Sequence, residues 1–249
     1  MDAPHQQAPV VQRLRLKYAK RGRLRFTSHR DFSRAFERAL RRAQVPIAFS
    51  SGFSPHPRVS YANATPTGIA SEAEYLEIAL NELVDPDEIR VSLDAALPIG
   101  LDLIEVVEAR TPDFAARLEA SLWQLVLPGV PREAVAVAIV ALLAESEVIV
   151  ERLTKDGVRR FDARAAISAL WLSENFDGNV AIAGDRPGSV ILNAVVRNGS
   201  PSVRPDDLLA ALRVVAGLAP TSPTLVTRLA QGSLNASGSV VDPFDRDRE

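Results

Sequence analysis

Residues 13–43, "RLRLKYAKRGRLRFTSHRDFSRAFERALRRA", contain an alternating segment followed by a periodic one, and this order decides the prediction of the fold. In residues 13–18, apolar side chains alternate with basic ones, which predicts a β-strand with one buried face and one cationic face. The basic members of that strand are Arg13, Arg15 and Lys17. After a turn at residues 20–22 and a short extended piece at 23–26, the spacing changes to that of a helix.

The helix predicted over residues 28–43 has a core face and an arginine face. Ser28 is a suitable N-cap residue, and Asp31 three positions later completes a variant of the capping box. Apolar residues recur at i, i+3, i+4 and i+7, which is the spacing of a face that packs in a core. The other surface carries Arg30, Arg34, Arg38, Arg41 and Arg42, with Glu37 as its one acid.

That arginine face predicts an anionic partner. Five arginines and one glutamate gain little from i,i+4 ion pairs, and arginine binds phosphate with a planar fork of donors. We therefore expect RNA or another polyanion as the partner. A solvated surface and docking to an acidic protein stay open as alternatives. The basic face of the strand carries no aromatic side chain, so contact with the phosphate backbone is expected rather than stacking of bases on the sheet.

The rest of the chain predicts an α+β fold with two tandem ferredoxin-like (βαββαβ) domains, the second less regular. In the first half, strands are expected at residues 58–62, 74–80 and 101–109, and a helix at 85–97 begins with Asp85 as N-cap and Pro86. The second half repeats this order loosely, and residues 162–172 fit a helix or a strand. The predicted domains span 13–112, which is the basic one, and 117–231. Residues 1–12 and 232–249 are expected to be disordered tails.

Charge and composition limit the possible functions. The net charge is -2, yet residues 13–58 hold 13 of the 29 Lys and Arg residues and only two of the 31 acids. The chain has no cysteine, so it forms no disulfide and holds no cysteine-ligated zinc or iron–sulfur cluster. No apolar run reaches the roughly 20 residues that span a bilayer. The first residues lack a signal pattern, so a cytoplasmic location without membrane contact is expected.

The loop after the helix is a second candidate for function. Its residues Gly52, Phe53, Ser54, Pro55, His56 and Pro57 hold His56 between two prolines, and Arg58 follows. Such a histidine could bind phosphate or transfer protons, or it could only stabilise a turn. If the loop folds back, His56 could meet His29, Asp31 and Glu74 in an acid–base or metal cluster. The spacing matches no metal or cofactor motif, so neither a metal nor a cofactor is expected.

Several motifs are similar to those of a known family. They are "GRLRFTSHRD" at 22–31, "RALRRA" at 38–43, the pattern P-x-x-x-S-x-GFSPHP at 46–57, "PTGIASEAEYL" at 66–76 and "RPDDLLAAL" at 204–212. Together they resemble the radical-SAM-linked protein family, a domain of unknown function found alone or fused behind a radical-SAM protein. The resemblance implies the stand-alone form with an accessory or substrate-presenting role. Because this chain has no cysteine, a radical-SAM enzyme would be a separate partner.

Three functions therefore remain open. The first is a non-catalytic RNA-binding accessory protein, with Arg58 added to the basic strand and the arginine face. The second is an RNA-processing or RNA-modifying enzyme that uses His29 and His56 as acid and base. The third is a protein-binding module. The sequence does not decide the oligomeric state.

Overall fold

The structure is a computed structural model that describes residues 9–173 and 188–248. The chain forms two compact units. Unit 1 comprises Met1–Arg117 together with Pro243–Glu249, and unit 2 comprises Leu118–Asp242. Unit 1 is therefore built from two separate parts of the chain. Within the described ranges, no helix has both the length and the apolar character needed to cross a membrane.

Unit 1 contains a four-stranded antiparallel sheet with two long helices. Its elements are β1 (Gln12–Lys20), α1 (His29–Arg42), β2 (Val59–Ala62), β3 (Ala70–Leu80), α2 (Pro86–Ala96), β4 (Leu103–Glu108) and the short α3 (Phe114–Arg117). The strand order is β4-β1-β3-β2, and every neighbouring pair is antiparallel. The predicted strands and helices occur in the predicted order, with ends that differ by a few residues.

The segment before α1 differs from its prediction. Residues Gly22–Phe26 form a 3-10 helix instead of an extended piece. Gly22 has a φ of 53°, which lets the chain turn directly after β1. The backbone N–H of Leu24 then donates to Arg21 and that of Thr27 to Leu24, at 3.0 and 2.9 Å. Residues 23–26 contain only two apolar side chains, which is too few for their spacing to distinguish a 3-10 helix from an extended segment.

The core of unit 1 lies between the sheet and the two helices. Leu14 and Leu16 of β1 and Phe36 and Leu40 of α1 are almost completely buried there. The N-terminus of α1 is fixed as predicted, because the Ser28 hydroxyl accepts the backbone N–H of Asp31 at 3.2 Å. The hydroxyl also donates to the Asp31 carboxylate at 2.7 Å. The buried side of α1 carries Phe32, Phe36, Ala39 and Leu40, so the arginines occupy the opposite side.

Unit 2 has a four-stranded antiparallel sheet and a separate hairpin. Its elements are β5 (Ala120–Pro128), α4 (Arg132–Ala144), β6 (Ile149–Thr154), β7 (Gly157–Asp162), β8 (Ile167–Leu172), β9 (Ser189–Arg197), α5 (Pro205–Ala216) and β10 (Leu225–Gly232). The sheet order is β10-β5-β9-β8, and β6 pairs with β7. The ambiguous residues 162–172 contain a 3-10 turn and β8. The α+β class is confirmed.

The two units repeat one strand order. If the β6–β7 hairpin is set aside, unit 2 runs β-α-β-β-α-β, and its fourth, first, third and second strands are neighbours in that order. Unit 1 has the same arrangement. The hairpin is thus an addition between the first helix and the second sheet strand of unit 2, which explains why its sequence pattern is less regular.

The expectation of disordered ends is wrong for the described residues. At the N-terminal end, Gln12 belongs to β1 and exchanges two hydrogen bonds with the backbone of Val84. At the C-terminal end, the Asn235 side chain accepts the backbone N–H groups of Ser237 and Ser239, so small polar residues build a turn. The last element is α6 (Asp245–Arg248), and Phe244 before it is completely buried in unit 1. Residues 1–8 and Glu249 lie outside the described residues.

Candidate nucleic-acid interface

The arginine face of α1 is exposed as the sequence predicted. Its members Arg30, Arg34, Arg38, Arg41 and Arg42 all lie on the solvent side of the helix. Among the described residues, none of the five forms an ion pair, and Arg42 donates to the Ala96 carbonyl oxygen at 3.3 Å. Arg30, Arg34, Arg38 and Arg42 are successive i,i+4 neighbours, so the row extends about 18 Å at 1.5 Å per residue.

The charges on this row have little internal compensation. Each like-charged i,i+4 pair destabilises a helix by about 0.2–0.5 kcal/mol. Arg41 and Arg42 in the last turn gain from the helix dipole, whereas Arg30 in the first turn does not. Glu37 is half-buried and forms no ion pair with them within the described residues. The face therefore presents five cations that are available to an external anion.

The loop at residues 50–58 is closed at its base and exposed at its tip. The backbone N–H of Ser50 donates to the His56 carbonyl at 2.8 Å, and the His56 N–H donates back to the Ser50 hydroxyl at 3.0 Å. Phe49 and Pro57 form an isolated β-bridge below them. At the tip, the Phe53 side chain is fully exposed. An aromatic ring held outside the core on a closed loop is a suitable contact for a flat partner group.

The other loop residues define the surroundings of that ring. Those on the solvent side are Gly52, Ser54, Pro55, His56 and Arg58, and Pro57 is half-buried. Gly52 has a φ of 123°, a conformation that side chains rarely adopt, so glycine is required for this turn. The loop thus presents an aromatic, an imidazole and a guanidinium to solvent within seven residues.

The four residues of the proposed acid–base cluster have separate structural partners. The His29 ring packs edge-on against the Tyr61 ring, with centroids 4.7 Å apart. Asp31 accepts the Ser28 hydroxyl, whereas Glu74 is buried and accepts the Thr65 N–H at 3.1 Å. Across the described ranges, no group of three His, Asp or Glu side chains is placed to hold a metal. The histidines remain exposed, but the structure does not assemble the four residues into a metal site.

Tyr61 connects His29 to the core of unit 1. Its ring also packs edge-on against Phe32, with centroids 5.9 Å apart. Burial raises the pKa of the Tyr61 phenol. A hydrogen bond with Ser33 lowers this pKa and the nearby Glu37 charge raises it, and the net change is upward. The phenol therefore stays protonated at neutral pH. His29 has a packing role at the start of α1 that the sequence did not indicate.

Most of the cationic face predicted for β1 is covered in the structure. Arg15 is only 3% exposed, and Lys17 is half-buried. Arg13 is exposed but its guanidinium is 3.1 Å from the Glu77 carboxylate. The alternation of residues 13–18 correctly separates two faces, but the second face is also covered at Arg15. The assignment of Arg15 as a nucleic-acid contact is therefore wrong.

An ionic network covers that second face of the sheet. The Asp247 carboxylate accepts hydrogen bonds from Arg15, from Arg117 at 2.9 Å and from the Thr111 N–H at 3.1 Å. Burial alone would raise the pKa of Asp247, but the Thr111 hydrogen bond and the two guanidinium groups lower it below its usual value. The network thus holds an ionised carboxylate between two buried arginines.

Aromatic side chains complete the cover. The Arg15 guanidinium lies 4.8 Å from the centroid of the Phe114 ring. Phe114 and Phe244 both pack edge-on or tilted around Tyr75 of β3, with centroids 5.3–5.7 Å apart. Because these rings are buried, this face of unit 1 cannot stack bases in the manner of an RNA-recognition motif.

The 3-10 helix adds basic and aromatic residues that the sequence did not single out. Arg23 is exposed, and the Arg25 guanidinium lies 4.7 Å above the ring of the exposed Phe26. An arginine stacked on an exposed aromatic is a common element of nucleic-acid surfaces. The signal was present in "RLRF", but the expected extended conformation gave no reason to place these side chains at the surface.

Comparison with known proteins identifies the family. Residues 13–205 match the model of DUF2344, described as an uncharacterized protein conserved in bacteria, and the chain belongs to this family. The match includes the four motifs between residues 22 and 76. No curated protein matches the chain. Membership in a family of unknown function is thereby confirmed, and the link to radical-SAM proteins stays a prediction.

Proposed function

We propose that the chain is a non-catalytic RNA-binding accessory protein that contacts the RNA backbone through the arginine face of α1. The observation that supports this most directly is the exposed row from Arg30 to Arg42, none of whose guanidinium groups has a carboxylate partner among the described residues. Such a row matches the negative charge that recurs along a phosphate backbone. Phosphate contact of this kind is largely independent of RNA sequence.

Two exposed aromatic side chains extend the proposed surface. Phe53 at the tip of the loop and Phe26 beside Arg25 offer rings on which single-stranded bases can stack. Both belong to segments that flank α1 in the sequence. We propose single-stranded RNA as the ligand, because stacking needs bases that are not already paired.

The proposal also includes a fold and a partner. The strand order shared by the two units supports two ferredoxin-like domains, the second with an inserted hairpin. A separate radical-SAM enzyme in the bacterial cytoplasm is the proposed partner, on the basis of the motif resemblance. In that arrangement the chain would present RNA and the enzyme would supply the chemistry.

The test is RNA binding by the nuclease-treated protein over a salt series. The variant Arg34→Glu/Arg41→Glu is compared with Arg160→Glu/Arg213→Glu, which changes the net charge equally at exposed arginines outside α1. We expect the slope of log K against log salt to fall by about 0.7 for each lost phosphate contact in the first variant only. Equal weakening in both variants would indicate nonspecific attraction.

Two other results would contradict the proposal. Absence of RNA binding at low salt would favour a protein partner for the arginine face. Cleavage or modification of the RNA that is lost in His56→Ala but retained in Ser54→Ala would show an enzyme. Both serine and histidine are exposed in the same loop, so the second comparison separates chemistry from loop structure.

A further inference from the structure

Unit 2 contains a cavity of about 520 Å³ between the β6–β7 hairpin and the segment that leads into α5. The hairpin contributes Arg152, Lys155 and Arg159, and the other wall contributes Ser200, Ser202 and Arg204. No carboxylate is among the side chains that line the cavity. Four cations thus surround one concavity in a unit that is acidic as a whole.

One of the four cations has a structural role. Arg152 binds the buried Asp207 carboxylate, with its Nε 3.0 Å from Oδ1, and it also donates to the Ser202 carbonyl oxygen at 2.7 Å. These contacts join the hairpin to the start of α5 and fix the two walls of the cavity. Arg152 therefore shapes the cavity, and its charge is already balanced by Asp207.

The other three cations have no such balance. Lys155, Arg159 and Arg204 are exposed and form no ion pair with any described residue. Arg159 lies directly opposite Arg152 in the register of the hairpin. An anion bound between the walls would supply the counter-charge that Lys155, Arg159 and Arg204 lack.

The lining also indicates the chemistry of the anion. Arginine forks, a lysine and serine hydroxyls are the donors that bind phosphate oxygens. No aromatic residue lines the cavity, so recognition of a base by stacking is not provided. Its volume lies within the range of small-molecule sites and exceeds the size of a single phosphate ion.

We propose that this cavity binds the phosphate groups of a ligand of nucleotide size, with Arg159, Arg204 and Lys155 as the contacts. The ligand is either a free nucleotide or the phosphorylated end of a nucleic-acid strand, since both present the same group. This site consists only of unit 2 residues and does not depend on RNA binding by α1.

The test is calorimetric titration of the full chain with pyrophosphate and with ATP. Arg159→Gln and Arg204→Gln are compared with Arg160→Gln, which removes the same charge from the adjacent exposed residue outside the cavity lining. We expect each cavity variant to weaken binding about tenfold, the effect of losing a charged hydrogen bond, and the control to bind like the wild type. No saturable binding at millimolar ligand, or equal weakening by all three substitutions, would overturn the proposal.

A second titration distinguishes the two sources. An oligoribonucleotide with a 5′-phosphate and one with a 5′-hydroxyl are offered to the Arg34→Glu/Arg41→Glu protein, in which the α1 surface is disabled. If the phosphorylated strand binds more tightly than ATP, and Arg159→Gln abolishes this tighter binding, the ligand is the phosphorylated end of a strand. If the affinity for ATP exceeds the affinity for both strands, the ligand is a free nucleotide.

Discussion

Arg15 in the first strand of unit 1 and Asp247 in its last helix form a buried ion pair across 232 positions of sequence. We expect Asp247→Asn to lower the free energy of unfolding of unit 1 by about 3–5 kcal/mol, because the buried guanidinium groups of Arg15 and Arg117 lose the carboxylate that they share, although Arg15 keeps the Glu77 carboxylate at 3.3 Å. Chemical denaturation, together with native-state hydrogen exchange of the β1 amides, measures the loss of stability. Asp245→Asn, at an exposed position of the same helix, is the control and should change stability little.

The same carboxylate predicts an acid-sensitive contribution to stability. The pKa of Asp247 is lowered in the folded state, so its stabilising contribution is complete above the usual aspartate value of about 3.9. That contribution decreases as the pH falls below this value toward the folded pKa. The difference in stability between the wild type and Asp247→Asn should therefore narrow from pH 6 to pH 3 in urea titrations. A difference that is constant with pH would contradict the assignment.

The N-cap of α1 gives a prediction for helix stability. Ser28→Ala removes the hydroxyl that accepts the Asp31 N–H and should cost about 1 kcal/mol. Ser28→Thr keeps an oxygen in the same place and should restore most of the loss. Equal stability of the alanine and threonine variants in urea denaturation would show that the cap contributes nothing.

Phe53 separates binding from folding. Because its ring is fully exposed, Phe53→Ala should leave the free energy of unfolding within about 0.5 kcal/mol of the wild type. If the ring stacks on a base, RNA affinity should fall by about 1–3 kcal/mol. Leu83→Ala, another exposed apolar residue of unit 1, should change neither quantity. Unchanged RNA affinity in Phe53→Ala would exclude the loop from the interface.

Gly232 tests whether the segment after β10 is folded. A Cβ at this position would lie 1.7 Å from the Val241 carbonyl oxygen, so backbone must move to admit it. We expect Gly232→Ala to destabilise unit 2 by about 1–3 kcal/mol. At Gly199 the nearest atom is 3.9 Å away, and Gly199→Ala should be tolerated. If the two variants had the same thermal unfolding midpoint, the close packing of Gly232 against Val241 would be contradicted.

Local signals in the sequence were sufficient to predict much of the fold. Asp85 followed by Pro86 predicted the start of α2, and the Asp85 carboxylate accepts the Asp87 N–H at 2.8 Å. The apolar spacing of α1 predicted its buried side, and the exposed arginines follow from that assignment. These predictions succeeded because cap and periodicity depend on residues within one or two helical turns.

The predictions that failed depended on residues far apart in the chain. Alternation in β1 separates two faces but does not show whether a distant segment covers either one. Arg15 was therefore interpreted as a surface residue, although Asp247 and Phe114 bury it. The small polar residues near Asn235 were interpreted as disorder, although the same residue types form turns. The cavity lined by Arg159 and Arg204 depends on a hairpin whose position the sequence did not specify.

The division of unit 1 between two parts of the chain affects its folding during synthesis. Residues 118–242 must be translated before Phe244 and Asp247 exist, which takes on the order of ten seconds at typical rates. During that interval the nascent first unit has Arg15 without the Asp247 carboxylate and Tyr75 without the Phe244 ring. A ribosome-bound fragment that stops before residue 243 should therefore be a substrate for chaperones and proteases, and release of the last residues would end that exposure.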